Sequence, residues 1–158
     1  MNIYDLMNLV VSAVADDGAL KVACQDWYGA DQRVFIDCNR SNPPDPADGP
    51  IIQFHSPGMR GGEEQRDAVY EFFASVDIYD NALAERSEDN VVEFSGTARL
   101  HEVIKRVKDD ARAAVDIDGW YLSIEIETNT IDLWPILTGD VHFLWRRSLV
   151  IGEDPLDF

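Results

Sequence analysis

Residues 66–80, RDAVYEFFASVDIYD, constrain the fold more than any other stretch of this chain. Tyr70, Phe72, Ala74, Val76 and Ile78 fall on one side of the alternation, and Glu71, Ser75 and Asp77 on the other. Strict period-two patterning over this length predicts a long strand in an antiparallel sheet with one solvated side. Phe73 sits among the polar positions. It reads either as a scattered surface aromatic or as a contact with a neighbouring subunit.

The surrounding elements supply what such a strand needs. Residues 3–15 predict an amphipathic helix, with Ile3, Leu6, Met7, Val10 and Val14 at helical spacing. DDG at 16–18 is expected to end it, with Gly18 as a left-handed cap. LKVACQDWYGADQ is ambiguous and reads as a short strand and a turn. RVFIDCN, 33–39, predicts a strand with Val34, Ile36 and Cys38 on one face. The next connection holds Pro43, Pro44, Pro46 and Pro50, so it cannot join a sheet interior and reads as a stiff surface loop. IIQFH, 51–55, is a further strand, and 56–65 a glycine-rich connection or hairpin tip. Residues 81–96 read as an exposed connection in which VVEF docks locally.

Residues 97–115 carry the clearest helical stripe, Leu100, Val103, Ile104, Val107, Ala111 and Ala114, with Thr97 or Ser95 as cap. DIDG ends it. Strands are expected at 120–128, with Leu122, Ile124 and Ile126 on one face, and at 141–152, joined by the turn DLWPILTGD. Strands do not alternate singly with helices. The expected fold is therefore α+β: one domain, 1–158, with an antiparallel or mixed sheet and two helices packed on one face.

The charge balance narrows function. Thirty acidic against thirteen basic residues give a formal charge of −17 on 158 residues. Such a surface repels nucleic-acid phosphates and anionic lipids. It leaves a solubility surface, a surface past which DNA slides, or a mimic of DNA. Cys24 and Cys38 form no CxxC pair and read as small buried hydrophobes. MNIYDLMNLVVSAVADDG lacks a basic n-region and is not expected to be a signal peptide. Its apolar run is too short for a membrane span. The chain is expected to be soluble and made in the cytoplasm.

The chemistry-bearing motifs are incomplete. HEVIK, 101–105, starts like a helical zinc motif but ends in Lys105. GMRGG, 58–62, matches neither nucleotide fingerprint and precedes a strand. DIDG lacks the later ligands of a calcium loop. Glu125 and Glu127 share a strand face, as chance pairs do in so acidic a chain. No catalytic residue, cofactor or metal is expected. In WRRS, 145–148, neighbouring strand residues point to opposite faces, so Arg146 and Arg147 cannot form one patch. One is expected to pair with a carboxylate of its own chain and the other with a neighbour's.

The layout resembles the tail terminator, or tail completion, proteins of long-tailed bacteriophages and prophages. The resemblance rests on the helix IYDLMNLVVSAV, the strand RVFID, the connection NPPDPADGP running into IIQFH, and the long strand after a glycine loop. The helix TARLHEVIKRVKDDARAAV and a closing strand pair complete it. It implies a non-enzymatic virion protein with helices packed on one side of a sheet. Copies would form a ring, typically a hexamer, at the head-proximal end of the tail tube. The ring would stop tube polymerisation and offer a surface for head joining.

The implied partners are the chain itself, the tail tube protein and a head–tail connector or neck protein, with DNA only a passenger. Met59, Arg60, Glu63, Glu64, Phe73, Arg146 and Arg147 are the candidate interface residues. Six copies would carry roughly −100 formal charges, so assembly should strengthen with salt or divalent cations. The alternatives are another neck protein or an acidic DNA mimic that blocks a host DNA-binding protein.

Overall fold

The computed structural model describes residues 3–55, 58–60, 69–85, 91–116 and 120–147. Helix α1 (Ile3–Asp16) buries the expected stripe of Ile3, Leu6, Met7, Val10 and Val14. Gly18 does not cap it. Asp17 breaks the helix, and Gly18 opens a second one, α2 (Gly18–Tyr28). The Asp17 carboxylate accepts from the amides of Ala19 and Leu20 at 2.9 and 3.1 Å, an N-cap that satisfies two otherwise orphaned donors. Leu20 and Cys24, one helical turn apart, are buried. Gly29, with φ 68°, closes the helix in the left-handed conformation. The segment read as a strand and turn is thus a helix, and the fold has three helices rather than two. Its signal was the Asp17 cap and a two-residue apolar stripe, too brief to outweigh the glycine before it.

Strand β1 (Arg33–Ile36) is shorter than expected. Asp37 takes φ 54° and turns the chain out of the sheet, so Cys38 lies outside the strand and is only half-buried. The proline-rich connection stays out of the sheet, with Pro46–Asp48 forming a single 3-10 turn that packs on the long strand. After β2 (Ile51–Phe54) and β3 (Gly58–Arg60) comes that strand, β4 (Val69–Tyr79). Residues 66–68, and 61–65 of the glycine connection, lie outside the described residues.

Strands β5 (Leu83–Glu85) and β6 (Val92–Phe94) pair as a small hairpin of their own. Helix α3 (Ser95–Ala114) follows directly, so Thr97 lies inside the helix rather than at its cap. Strand β7 (Trp120–Asn129) and β8 (Ile136–Arg147) close the sheet. β8 starts five residues before the expected 141, because the turn occupies only 130–135; residues 148–152 lie outside the described ones.

The large sheet runs β1-β2-β4-β8-β7, with β3 beside β2 on the same edge of β4. It is mixed: β1 is parallel to β2, and the other pairs are antiparallel. Even-numbered residues of β4 face the helices; Phe72, Ala74, Val76 and Ile78 are fully buried there with Leu137, Val141, Phe143 and Trp145 of β8. Each large side chain so buried contributes about 1.5–3 kcal/mol relative to exposure. Phe54, Phe72 and Phe143 meet at the centre, the last two 5.0 Å apart. Helix α3 lies over β4 and β8, and α1 packs on α3 and β1. Gly139 permits the close approach, because a Cβ there would run into Ile104 Cδ1. The helices therefore close one face and leave the other to solvent.

Candidate interaction surface

Odd-numbered residues of β4 and β7 and even-numbered residues of β8 make up the open face. The register places Phe73 opposite His142, and Ser75 opposite Asp140. Phe73 is 40% exposed and stacks on the His142 ring at 4.2 Å. It points outward, as its place in the alternation requires. His142 Nε2 lies 2.7 Å from Glu71 Oε1, and Nδ1 lies 3.8 Å from Glu125 Oε2. These are ion-pair distances once the ring is protonated.

The Ser75 hydroxyl donates to Asp140 Oδ1 at 2.8 Å. A hydroxyl has one proton, so the 2.9 Å contact with His55 Nε2 is a donation from the ring to Ser75 Oγ. In this order the serine cannot give its proton to the histidine, which a serine nucleophile requires. Burial, then the Asp140 charge, holds the Asp77 carboxyl above its ordinary range. The face is acidic and internally hydrogen-bonded, with aromatic and histidine rings among the carboxylates.

At one end of the sheet the chain presents apolar groups. The turn 130–135 carries Ile131, Leu133 and Trp134, all exposed, Ile131 to 81%. Tyr79 pairs with Ile136 and is exposed beside it. This end is held by Asp80, whose amide donates to Pro135 O at 3.0 Å. The buried Asp80 carboxylate accepts from the Tyr28 hydroxyl, from Arg99 and from the Ala82 amide, each at 2.9 Å. The Arg99 guanidinium lies 5.8 and 5.6 Å from the Trp27 and Tyr28 ring centroids. Burial, and then the bond to Asp80, push the Tyr28 phenol well above its usual range. Through its carboxylate and its amide, this one residue ties α2, α3, the end of β4 and the turn into one rigid corner.

Of the candidate residues from the sequence, Arg60 and Arg146 fall in one row of the sheet, on either side of Val69. Phe73 and Arg146 share the open face, Arg146 at the position beside Val69 and Tyr121. Arg147 lies in register with Trp120. Met59 and Arg60 belong to β3, paired with Tyr70 and Val69. Glu63 and Glu64 lie outside the described residues. Sequence reading missed the apolar turn; its signal was three large hydrophobes where turns normally carry small or polar residues. His101 is exposed on α3, and no group of three or more metal-ligating side chains clusters among the described residues. Among those residues, no helix is long and apolar enough to cross a membrane.

No model of a known protein family matches this chain, and comparison with curated proteins gave no match.

Proposed function

We propose that the chain is a structural virion subunit of the tail-terminator kind. Copies close into a ring, six by the resemblance, at the head-proximal end of the tail tube. The ring stops tube growth and presents a surface to the head–tail connector. The observation that carries this reading is the division of the surface. Helices close one sheet face, the other is open and acidic around Phe73, and a rigid corner carries Tyr79, Ile131, Leu133 and Trp134 into solvent. A ring subunit needs such a body: a stiff sheet holding docking groups in register with identical neighbours, joined head to tail so that the rotation closes. The exposed apolar corner supplies contact area, since contiguous exposed hydrophobes mark association sites. The acidic face lets DNA pass without sticking.

An acidic DNA mimic draws on the same face, which collects Glu71, Asp77, Glu125, Glu127 and Asp140. There Ser75 bonds Asp140, and His142 sits against Glu71. Charge interleaved with histidines makes a poor copy of a phosphate row, so this reading stands second.

The test is polymerisation of tail tube protein with and without this chain, followed by negative-stain imaging. The proposal expects shorter tubes carrying a ring at one end only. Tubes of unchanged length without a cap, together with competition against DNA for a host DNA-binding enzyme, would move the assignment to the mimic.

A further inference from the structure

Among the described residues, strand β7 is the outermost strand of the large sheet, and its unpaired edge runs for ten residues. Folded proteins shield such an edge with charged side chains, lysine above all, with proline, a bulge or sheer brevity. β7 is long and has no lysine, proline or bulge; its only charges are Glu125 and Glu127, both on the open face. It reads WYLSIEIETN, and its register on β8 is unbroken from Trp120 opposite Arg147 to Asn129 opposite Thr138. The helix layer stands over β4 and β8. Leu122 and Ile124 are therefore only half-buried on the helix side, and Ile126 is 46% exposed. Among the described residues no strand pairs with this edge.

We infer that β7 pairs antiparallel with β7 of a second copy, with Ile124 opposite Ile124 across a two-fold axis. Directly opposed residues in a sheet share a face, so a continuous apolar side requires even-numbered residues to meet even-numbered ones. Centring on Ile124 does this over nine of the ten residues of the strand. Leu122 meets Ile126, Trp120 meets Thr128, and the half-exposed apolar strips of both copies merge into one. On the open face Ser123 meets Glu125 and Tyr121 meets Glu127, so no carboxylate opposes another. Moving the centre to Glu125 or Ile126 sets glutamate against glutamate. Moving it to Ser123 shortens the overlap to seven residues of the strand and leaves Ile126 against Trp120.

The two copies of Glu125 then lie diagonally across the axis, about 7–8 Å apart, and salt tightens the contact. A two-fold contact closes at two copies, so it is separate from any ring-closing contact. It describes the chain away from the tube and holds whether or not the ring reading does.

Sedimentation equilibrium of the full chain, at low and high salt, tests the pairing with two substitutions at the exposed Ser123. Ser123→Lys sets an ammonium opposite Glu125 twice per dimer, and the dimer should tighten by about 2- to 30-fold. Ser123→Glu sets carboxylate against carboxylate, and it should loosen by a similar factor. Ile124→Lys should leave a monomer, its circular dichroism showing whether it folds. A wild-type chain that stays monomeric up to ~1 mM overturns the inference. So does a dimer that responds to neither Ser123 change, or moves the same way for both.

Discussion

Replacing Asp80 by alanine should destabilise this protein more than any other single surface-adjacent change. The side chain is 1% exposed and satisfies three donors, Tyr28, Arg99 and the Ala82 amide. Removing one member of a buried pair costs about 3–5 kcal/mol, because the remaining charge keeps its desolvation without its partner. Arg99 is 24% exposed, so water partly reaches it, and the lower end, about 3 kcal/mol, is expected. Asp80→Asn keeps an acceptor for the Ala82 amide and should lose about 1–2 kcal/mol. Arg99→Met should cost less than Asp80→Ala, since methionine fills the space over Trp27 and Tyr28. The double variant should then recover part of the sum, giving a coupling of about 2 kcal/mol. Urea denaturation followed by tryptophan fluorescence reads all four variants, with Trp27 reporting on the corner itself. A loss below about 1 kcal/mol for Asp80→Ala, or full additivity with Arg99→Met, would refute the idea that this carboxylate locks the corner.

Three further outcomes follow from the same structure. Burial, and then the neighbouring Asp17 charge, push the Asp110 carboxyl up to about 6. A raised folded-state value favours the protonated form, so this contribution to stability is full below pH ~3.9 and is lost as pH rises through 6. Asp110→Asn should therefore be more stable than wild type at pH 7.5 by about 1 kcal/mol after allowance for solvent screening, with the gap closing by pH 4.5 in urea titrations. Gly139→Ala should cost about 1–3 kcal/mol by driving a methyl group into Ile104, and Ile104→Val, which removes the clashing carbon, should restore part of it in thermal melts. Ile131→Ser with Leu133→Ser should leave the urea midpoint almost unmoved, because both side chains are exposed, yet should abolish tube capping in the polymerisation assay.

The parts of this fold legible in the sequence are those where one face alone is buried. The period-two pattern of 70–78 and the stripe of α3 report burial directly, and both elements stand where the pattern places them. α2 was obscured because its buried stripe is just Leu20 and Cys24, and an aspartate–glycine pair reads as a stop as readily as a start. β8 began early because Leu137 and Gly139 continue its inward face, while Trp134 and Pro135 look like turn punctuation. The open face was half legible. Phe73 broke the alternation and gave itself away. The pairing of His142 with Glu71 and of Ser75 with Asp140 depends on the β4–β8 register, which joins residues far apart in the chain and leaves no local trace. Asp80 was hidden for the same reason, as its partners lie on α2 and α3.

The most direct test of the central claim is cryo-electron microscopy of tube ends assembled with this chain, with native mass spectrometry of the released caps. The account predicts one closed ring of identical copies at a single end of each tube, with the sheet edges and the Ile131–Trp134 corner buried between neighbours or against the tube. Bare tube ends, with only monomers or dimers in solution at every salt concentration, would contradict it.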